Sequence, residues 1–296
     1  MNSKKNITEK QNPISMDIDS KSVIDILKII NEQDSLVSNS IYNELASIER
    51  FISDLVVCLL NGGRLIYIGS GTSGRLGVLD ASECPPTFQT SKNLIVGVIA
   101  GGEKALSEAV ESAEDDFDDG RNQLNLLNLA KNDVVLGISA SGNTPFVIGG
   151  IDYAYKIGCK TGLLTFNDID NNGTINHLIK INVGPEIIAG STRMKSGTAT
   201  KMVLNMITTT AMIKMNKTYG NLMVDLKVNN DKLLARAINI VSQLTKLDNG
   251  QSKNMLSKAN NNVKVAVVMF HKECTYKEAK HYLNNSNGAL SLIIDE

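Results

Sequence analysis

The pattern of apolar and polar positions changes period along the chain. Over residues 21–30, Val23, Ile26, Leu27 and Ile30 recur every three or four positions, which predicts a helix. Asp34 is placed to cap a longer helix through Ile41, Leu45, Ile48, Ile52, Val56 and Leu59, closed by Gly62 and Gly63. From residue 65 short apolar runs alternate with helical stretches. Strands are predicted at 65–68, 94–100, 133–138, 161–166 and 178–183, with helices at 104–117, 122–130 and 145–157. Such alternation implies a parallel sheet covered on both faces, here a three-layer αβα sandwich with five parallel strands. Beyond residue 231 the alternation stops, and short helices are predicted at 232–247, 263–270, 276–283 and 289–294. The expected domains are an N-terminal arm and helices (1–53), a sheet domain (54–230) and a C-terminal helical region (231–296).

Composition narrows the function classes. The 296 residues carry a formal net charge of −1, with no basic stripe to suggest nucleic acid or a membrane surface. Four scattered cysteines, Cys58, Cys84, Cys159 and Cys274, form no CxxC pair and suggest neither zinc nor a disulfide framework. The polar N-terminus has no signal-peptide core and is expected to be an arm or a tail. A cytoplasmic protein is expected. With three histidines and no His cluster, transition-metal catalysis is not expected.

The chemistry concentrates in two turns. The first predicted strand runs into Ser70-Gly-Thr-Ser-Gly-Arg75, where Gly71, Thr72 and Ser73 precede a helix. A glycine-rich turn between a strand and a helix gathers backbone N–H groups at a positive dipole end, an anion site. It matches neither the P-loop nor the dinucleotide fingerprint, which favours a compact phosphomonoester. The third strand repeats the device with Ser139, Ser141, Gly142, Asn143 and Thr144, followed by Pro145 at a helix start. Taken singly, these hydroxyls are ordinary caps and turn formers. As a pair at the carboxyl ends of two strands, the loops indicate phosphate binding.

These loops resemble those of the sugar isomerase (SIS) fold, whose members handle phosphosugars. The run Tyr67-Ile-Gly-Ser-Gly-Thr-Ser-Gly-Arg-Leu-Gly-Val-Leu-Asp-Ala-Ser-Glu-Cys-Pro-Pro-Thr-Phe88 resembles the signature of the N-acetylmuramic acid 6-phosphate etherase family. So does Gly184-Pro-Glu-Ile-Ile-Ala-Gly-Ser-Thr-Arg-Met-Lys-Ser-Gly-Thr-Ala-Thr-Lys201. The likeness extends from Thr8 to Leu226, with one departure, Ser70, where the family pattern has alanine. It implies cleavage of the lactyl ether at C3 of a 6-phosphorylated amino sugar by elimination and water addition, giving N-acetylglucosamine 6-phosphate and D-lactate. The last helices are similar to the ubiquitin-associated three-helix unit common in that family.

The implied elimination needs a base at C2 and an acid at the ether oxygen but no metal and no cofactor, and scarce histidine points to carboxylates. Glu83 precedes Pro85 and Pro86 in a predicted loop, and the resemblance implies that it is the general acid. Glu114 completes the i, i+4 column Leu106, Val110, Glu114 of the predicted helix 104–117. It is therefore expected to face inward, with burial raising its pKa. The resemblance makes it the second catalytic glutamate, to which proton abstraction at C2 is assigned. Without that match, a helix-end acid in an acidic run is the simpler reading. In residues 186–201, Glu186 and Ser191 are expected near the sugar, while Ser191, Thr192 or Ser196 caps the Met-rich helix that follows. That helix is expected to serve core or interface packing in a homodimer. An aldose–ketose isomerase and a non-catalytic phosphosugar sensor resembling glucokinase regulatory proteins remain alternatives.

Overall fold

The computed structural model describes residues 6–295. Three helices enter the sheet: α1 (Val23–Ser35), α2 (Val37–Tyr42) and α3 (Leu45–Leu60). The single long helix expected beyond Asp34 is thus broken, with Asn43 and Glu44 carrying the interruption. The alternation then follows: β1 (Leu65–Gly69), α4 (Gly71–Phe88), β2 (Ile95–Ile99), α5 (Lys104–Ser107), α6 (Phe117–Leu126), β3 (Val134–Ile138), α7 (Pro145–Ile157), β4 (Lys160–Thr165), β5 (His177–Lys180) and α8 (Lys195–Lys214). A 3₁₀ turn at Glu111–Asp115 lies between α5 and α6. The C-terminal helices are α9 (Asp231–Thr245), α10 (Asn249–Lys258), α11 (Val263–His271), α12 (Tyr276–Asn285) and α13 (Ser291–Ile294).

The five strands are all parallel, in the order β2-β1-β3-β4-β5. Every residue of β1 and β3 is buried, as their unbroken apolar runs require of a sheet covered on both faces. The order reverses between β1 and β3, so a crevice opens there at the carboxyl edge.

The chain folds into two compact units. The first takes residues up to Ser82 together with Asn93–Thr208; the second takes Glu83–Lys92 and everything from Thr209 onward. In the first, Ile66, Ile68, Val135, Phe146, Val147 and Leu163 build a core between sheet and helices. In the second, Val241, Leu256, Val263, Ala266, Val267 and Leu290 gather α9 to α13 around a separate core.

Two sequence expectations are corrected here. The predicted helix 104–117 ends at Ser107, because Glu108 is extended (φ −121°, ψ 160°). Its carbonyl accepts from Arg75 Nη2 at 2.7 Å, a tertiary bond that no local periodicity encodes. Conversely, α4 does not stop before Pro85 and Pro86; it runs through both to Phe88. The carbonyls of Ala81 and Ser82 lose their helical partners. Buried Ala81, Cys84 and Phe88 anchor the helix across that gap. From residue 6 the N-terminal arm is ordered, with Thr8, Asn12 and Ser15 buried, and its first five residues lie outside the described residues. Thr8 pairs with Asn167, whose Nδ2 also donates to the Ala140 carbonyl at 2.8 Å, and Ser15 Oγ donates to the Ile187 carbonyl at 2.7 Å.

Candidate functional site

Gly69 of β1 and Ile138 of β3 are register partners, so the turns that follow them start from adjacent points on the sheet edge. Adjacent strands lie about 4.8 Å apart. The two hydroxyl-rich loops therefore flank the crevice at the switch point. The first loop turns tightly because a Cβ on Gly69 would meet Gly74 N at 2.7 Å, and one on Gly74 would meet Gly69 O at 2.7 Å. The helix start thus presses against the strand end, and Gly71, Thr72 and Ser73 form the first turn of α4.

The second loop is organised by Ser139. Its hydroxyl is 2.7 Å from Thr144 Oγ1 and 3.3 Å from Ser141 Oγ, and it accepts from Gly142 N at 3.0 Å. Ser139 is buried, while Asn143 is exposed and Ser141 and Thr144 are half-buried. Gly142 has φ +82°, and a Cβ there would meet Ile169 Cγ2 at 2.3 Å. Thr144 makes no side-chain cap to α7, Pro145 has no N–H, and Val147 N donates to the Thr144 carbonyl at 3.0 Å. Ser141, Gly142 and Asn143 line a cleft of about 530 Å³ together with Asp168 and Ile169.

Glu114 comes to the first loop. Its carboxylate accepts from Ser70 Oγ at 3.1 Å. The sequence pattern predicts a buried, inward-facing Glu114; it is exposed, because the helix that would have turned it inward ends seven residues earlier. Arg75 and Ser70 together tie the Glu108–Glu114 stretch to the start of α4. Arg75 does not stand out in the sequence, and Ser70 is marked there only by its departure from the family pattern.

Glu186 is fully buried rather than open to a sugar. Its carboxylate accepts from Lys195 N (2.9 Å), Ser196 N (2.9 Å) and Ser196 Oγ (2.7 Å), so it caps α8 from outside the helix. Lys195 is buried beside it, with Nζ donating to Val183 O at 2.7 Å and Gln33 Oε1 at 3.0 Å. Burial pushes its ammonium below the ordinary value, and Glu186 opposes that shift. The first turn of α8 adjoins the first loop, since a Cβ on Gly197 would lie 3.5 Å from Thr72 Cγ2. Ser191 is half-buried in the turn before α8, its carbonyl accepting from Met194 N.

Glu83 is exposed on α4, twelve residues after Gly71, or about 18 Å of helix. Glu83 falls in the second unit. Among the described residues there is no cluster of three or more His, Cys, Asp or Glu disposed to hold a metal ion. No helix there is long and apolar enough to cross a membrane.

Two family models match the chain: the N-terminal SIS domain of glucokinase regulatory protein over residues 47–155, and that protein's C-terminal lid domain over residues 220–264. Among solved structures, the phosphoheptose isomerase of Francisella tularensis aligns with a TM-score of 0.49 and 19% identity, covering 63% of this chain and 98% of that one. N-acetylmuramic acid 6-phosphate etherase 1 of Bacillus licheniformis is 50% identical over 285 residues, covering 95% of this chain and 93% of the relative. The etherase of Pasteurella multocida is 47% identical over 292 residues, covering 97% of each. With about half of all positions shared along almost the whole length, the chain belongs to the N-acetylmuramic acid 6-phosphate etherase family.

Proposed function

We propose that this protein cleaves the D-lactyl ether of N-acetylmuramic acid 6-phosphate, giving N-acetylglucosamine 6-phosphate and D-lactate in amino sugar recycling. The observation that carries the reading is the pair of adjacent loops with Glu114 tied to one of them, in a chain about half identical to named etherases. The first turns of α4 and α7 and the loop hydroxyls hold the 6-phosphate. In the open-chain aldehyde the carbonyl acidifies the C2 hydrogen, which Glu114 removes. Lactate then leaves C3 as Glu83 protonates the ether oxygen, and water adds to the resulting unsaturated aldehyde. This is carbon–oxygen lyase chemistry.

Glu83 is exposed on α4, open to a second copy of the chain, and we assign the acid at each site of the expected homodimer to Glu83 of the partner subunit. Co-expressing Glu83→Ala and Glu114→Ala chains should then restore about a quarter of wild-type activity: half of randomly formed dimers are mixed, each with one intact site. No recovery would place both glutamates in one chain's site.

The decisive assay is D-lactate release from N-acetylmuramic acid 6-phosphate, which neither an isomerase nor a sensor produces. Glu83→Ala should cut that release by roughly 10²–10⁴ while solvent exchange at C2 persists. Loss of exchange as well would contradict the division of roles. Phosphorylated sugars do not cross membranes unaided, so a cytoplasmic location suits this substrate.

A further inference from the structure

The second unit carries a cleft of its own, of about 400 Å³, lined by Met215 and Lys217 just after α8, the first turn of α11 and the second half of α12 with the residues that follow it. Its charge is uneven. Lys217, Lys264 and Lys280 line it against one carboxylate, Asp225. Asp225 Oδ2 is 2.8 Å from Lys264 Nζ and 3.3 Å from Lys217 Nζ, so two ammonium groups share it. Lys280 has no acidic partner among the described residues and sits 5.6 Å above the Tyr276 ring.

Lys264 is the anomaly. Its neighbours Val263, Val265, Ala266, Val267 and Val268 all belong to the buried core, and Lys264 itself is only 5% exposed. An apolar residue would fill that position without the cost of desolvating a charge. Its Nζ donates to Asn216 O at 2.7 Å and to Asp225, which holds the head group at the cleft wall. Asn284 and Asn287 add amides to the same lining. Cationic groups in excess by two beside two side-chain amides suit an anion that also carries hydroxyls. The volume falls within the range of small-molecule sites.

We infer that this cleft is a second ligand site, separate from the loop pocket, which takes a small phosphorylated polyol of the sugar phosphate class. The lysines hold the phosphate and the asparagines its hydroxyls. No catalytic group lies there, so the site is one of binding and control. A purely structural role for the Lys264–Asp225 pair makes the opposite forecast, since it needs no ligand.

The test is a titration of the full-length, isotopically labelled chain followed by amide NMR, with inorganic phosphate and N-acetylglucosamine 6-phosphate as separate probes. Both should shift the Val265, Asn287 and Gly288 amides, as an event separate from shifts at residues 141–144. The sugar phosphate should bind at least tenfold more tightly than phosphate. Ser139→Ala should weaken only the loop event. Lys217→Gln combined with Lys280→Gln, both at positions outside the buried core, should weaken only the cleft event by at least tenfold. Lactate release measured without added product should be unchanged in that double variant. Unmoved cleft amides, or binding untouched by the double variant, would overturn the site. Equal affinity for the two probes would overturn the assignment to a sugar phosphate.

Discussion

Ser70 stands where related sequences are expected to carry alanine, and its hydroxyl donates to the carboxylate proposed as the base. A hydroxyl–carboxylate bond in an exposed position is worth on the order of 0.5–1 kcal/mol. Ser70→Ala should therefore lower kcat by about 2- to 5-fold with little change in KM, because the contact orients Glu114 without touching the phosphate. Steady-state kinetics of lactate release checks it, and a rise in KM alone would assign Ser70 to substrate binding. Glu186 teaches the complementary lesson. A glutamate in a hydroxyl-rich run invites a substrate-binding role, yet three donors at the start of α8 enclose its carboxylate. Sequence shows which residues can bond; it does not show which partner reaches them first.

Among the elements, those whose apolar pattern is unambiguous lie within about a residue or two of where periodicity puts them. β1, β3 and α7 are such cases, each a continuous buried run or a helix opened by proline. The sequence could not display the interruptions, because tertiary bonds make them: Arg75 takes the Glu108 carbonyl, and buried neighbours carry α4 through two prolines. α10 is hidden in the sequence for another reason. Its residues, Asn-Gly-Gln-Ser-Lys-Asn-Met-Leu-Ser-Lys, are nearly all polar, and its clearest signal is the Asp248–Gln251 capping box. Both loops are readable as turns, whereas their adjacency depends on the strand order and emerges only in the folded sheet. Gly142→Ala tests what the second loop requires. Strain at φ +82° and the contact with Ile169 should cost about 1–3 kcal/mol and disturb the amides presented to phosphate. A lowered melting temperature together with a raised KM is the expected result; a normal KM would show that the loop geometry is not needed for binding.

On the scale of the whole sheet, opposite edges serve opposite ends. The proposed chemistry occupies the carboxyl edge, while the amino edge is closed by an ion pair joining β1 to β3. Arg64 Nη2 lies 2.6 Å from Asp133 Oδ2, and the same carboxylate accepts from Arg64 N and Ala130 N, each at 2.9 Å. Burial pushes the Asp133 carboxyl up, but the Arg64 bonds and the backbone amides outweigh it and hold the group below its ordinary value. A carboxyl with a depressed folded-state pKa releases its proton more readily folded than unfolded. Its contribution is therefore complete above about pH 4 and is lost as pH falls through the folded value. Asp133→Asn should destabilise the protein by about 3 kcal/mol at neutral pH, the lower end for a broken buried pair, because a quarter of the Arg64 side chain meets solvent. Its denaturation midpoint should also fall less than that of the wild type between pH 5 and pH 3. Since the pair sits at the far end of the strands from both loops, KM at neutral pH and moderate temperature should stay unchanged. An acid profile parallel to the wild type would show that Asp133 is not the group coupling acid to unfolding, and a raised KM would show that the two edges of the sheet are not independent.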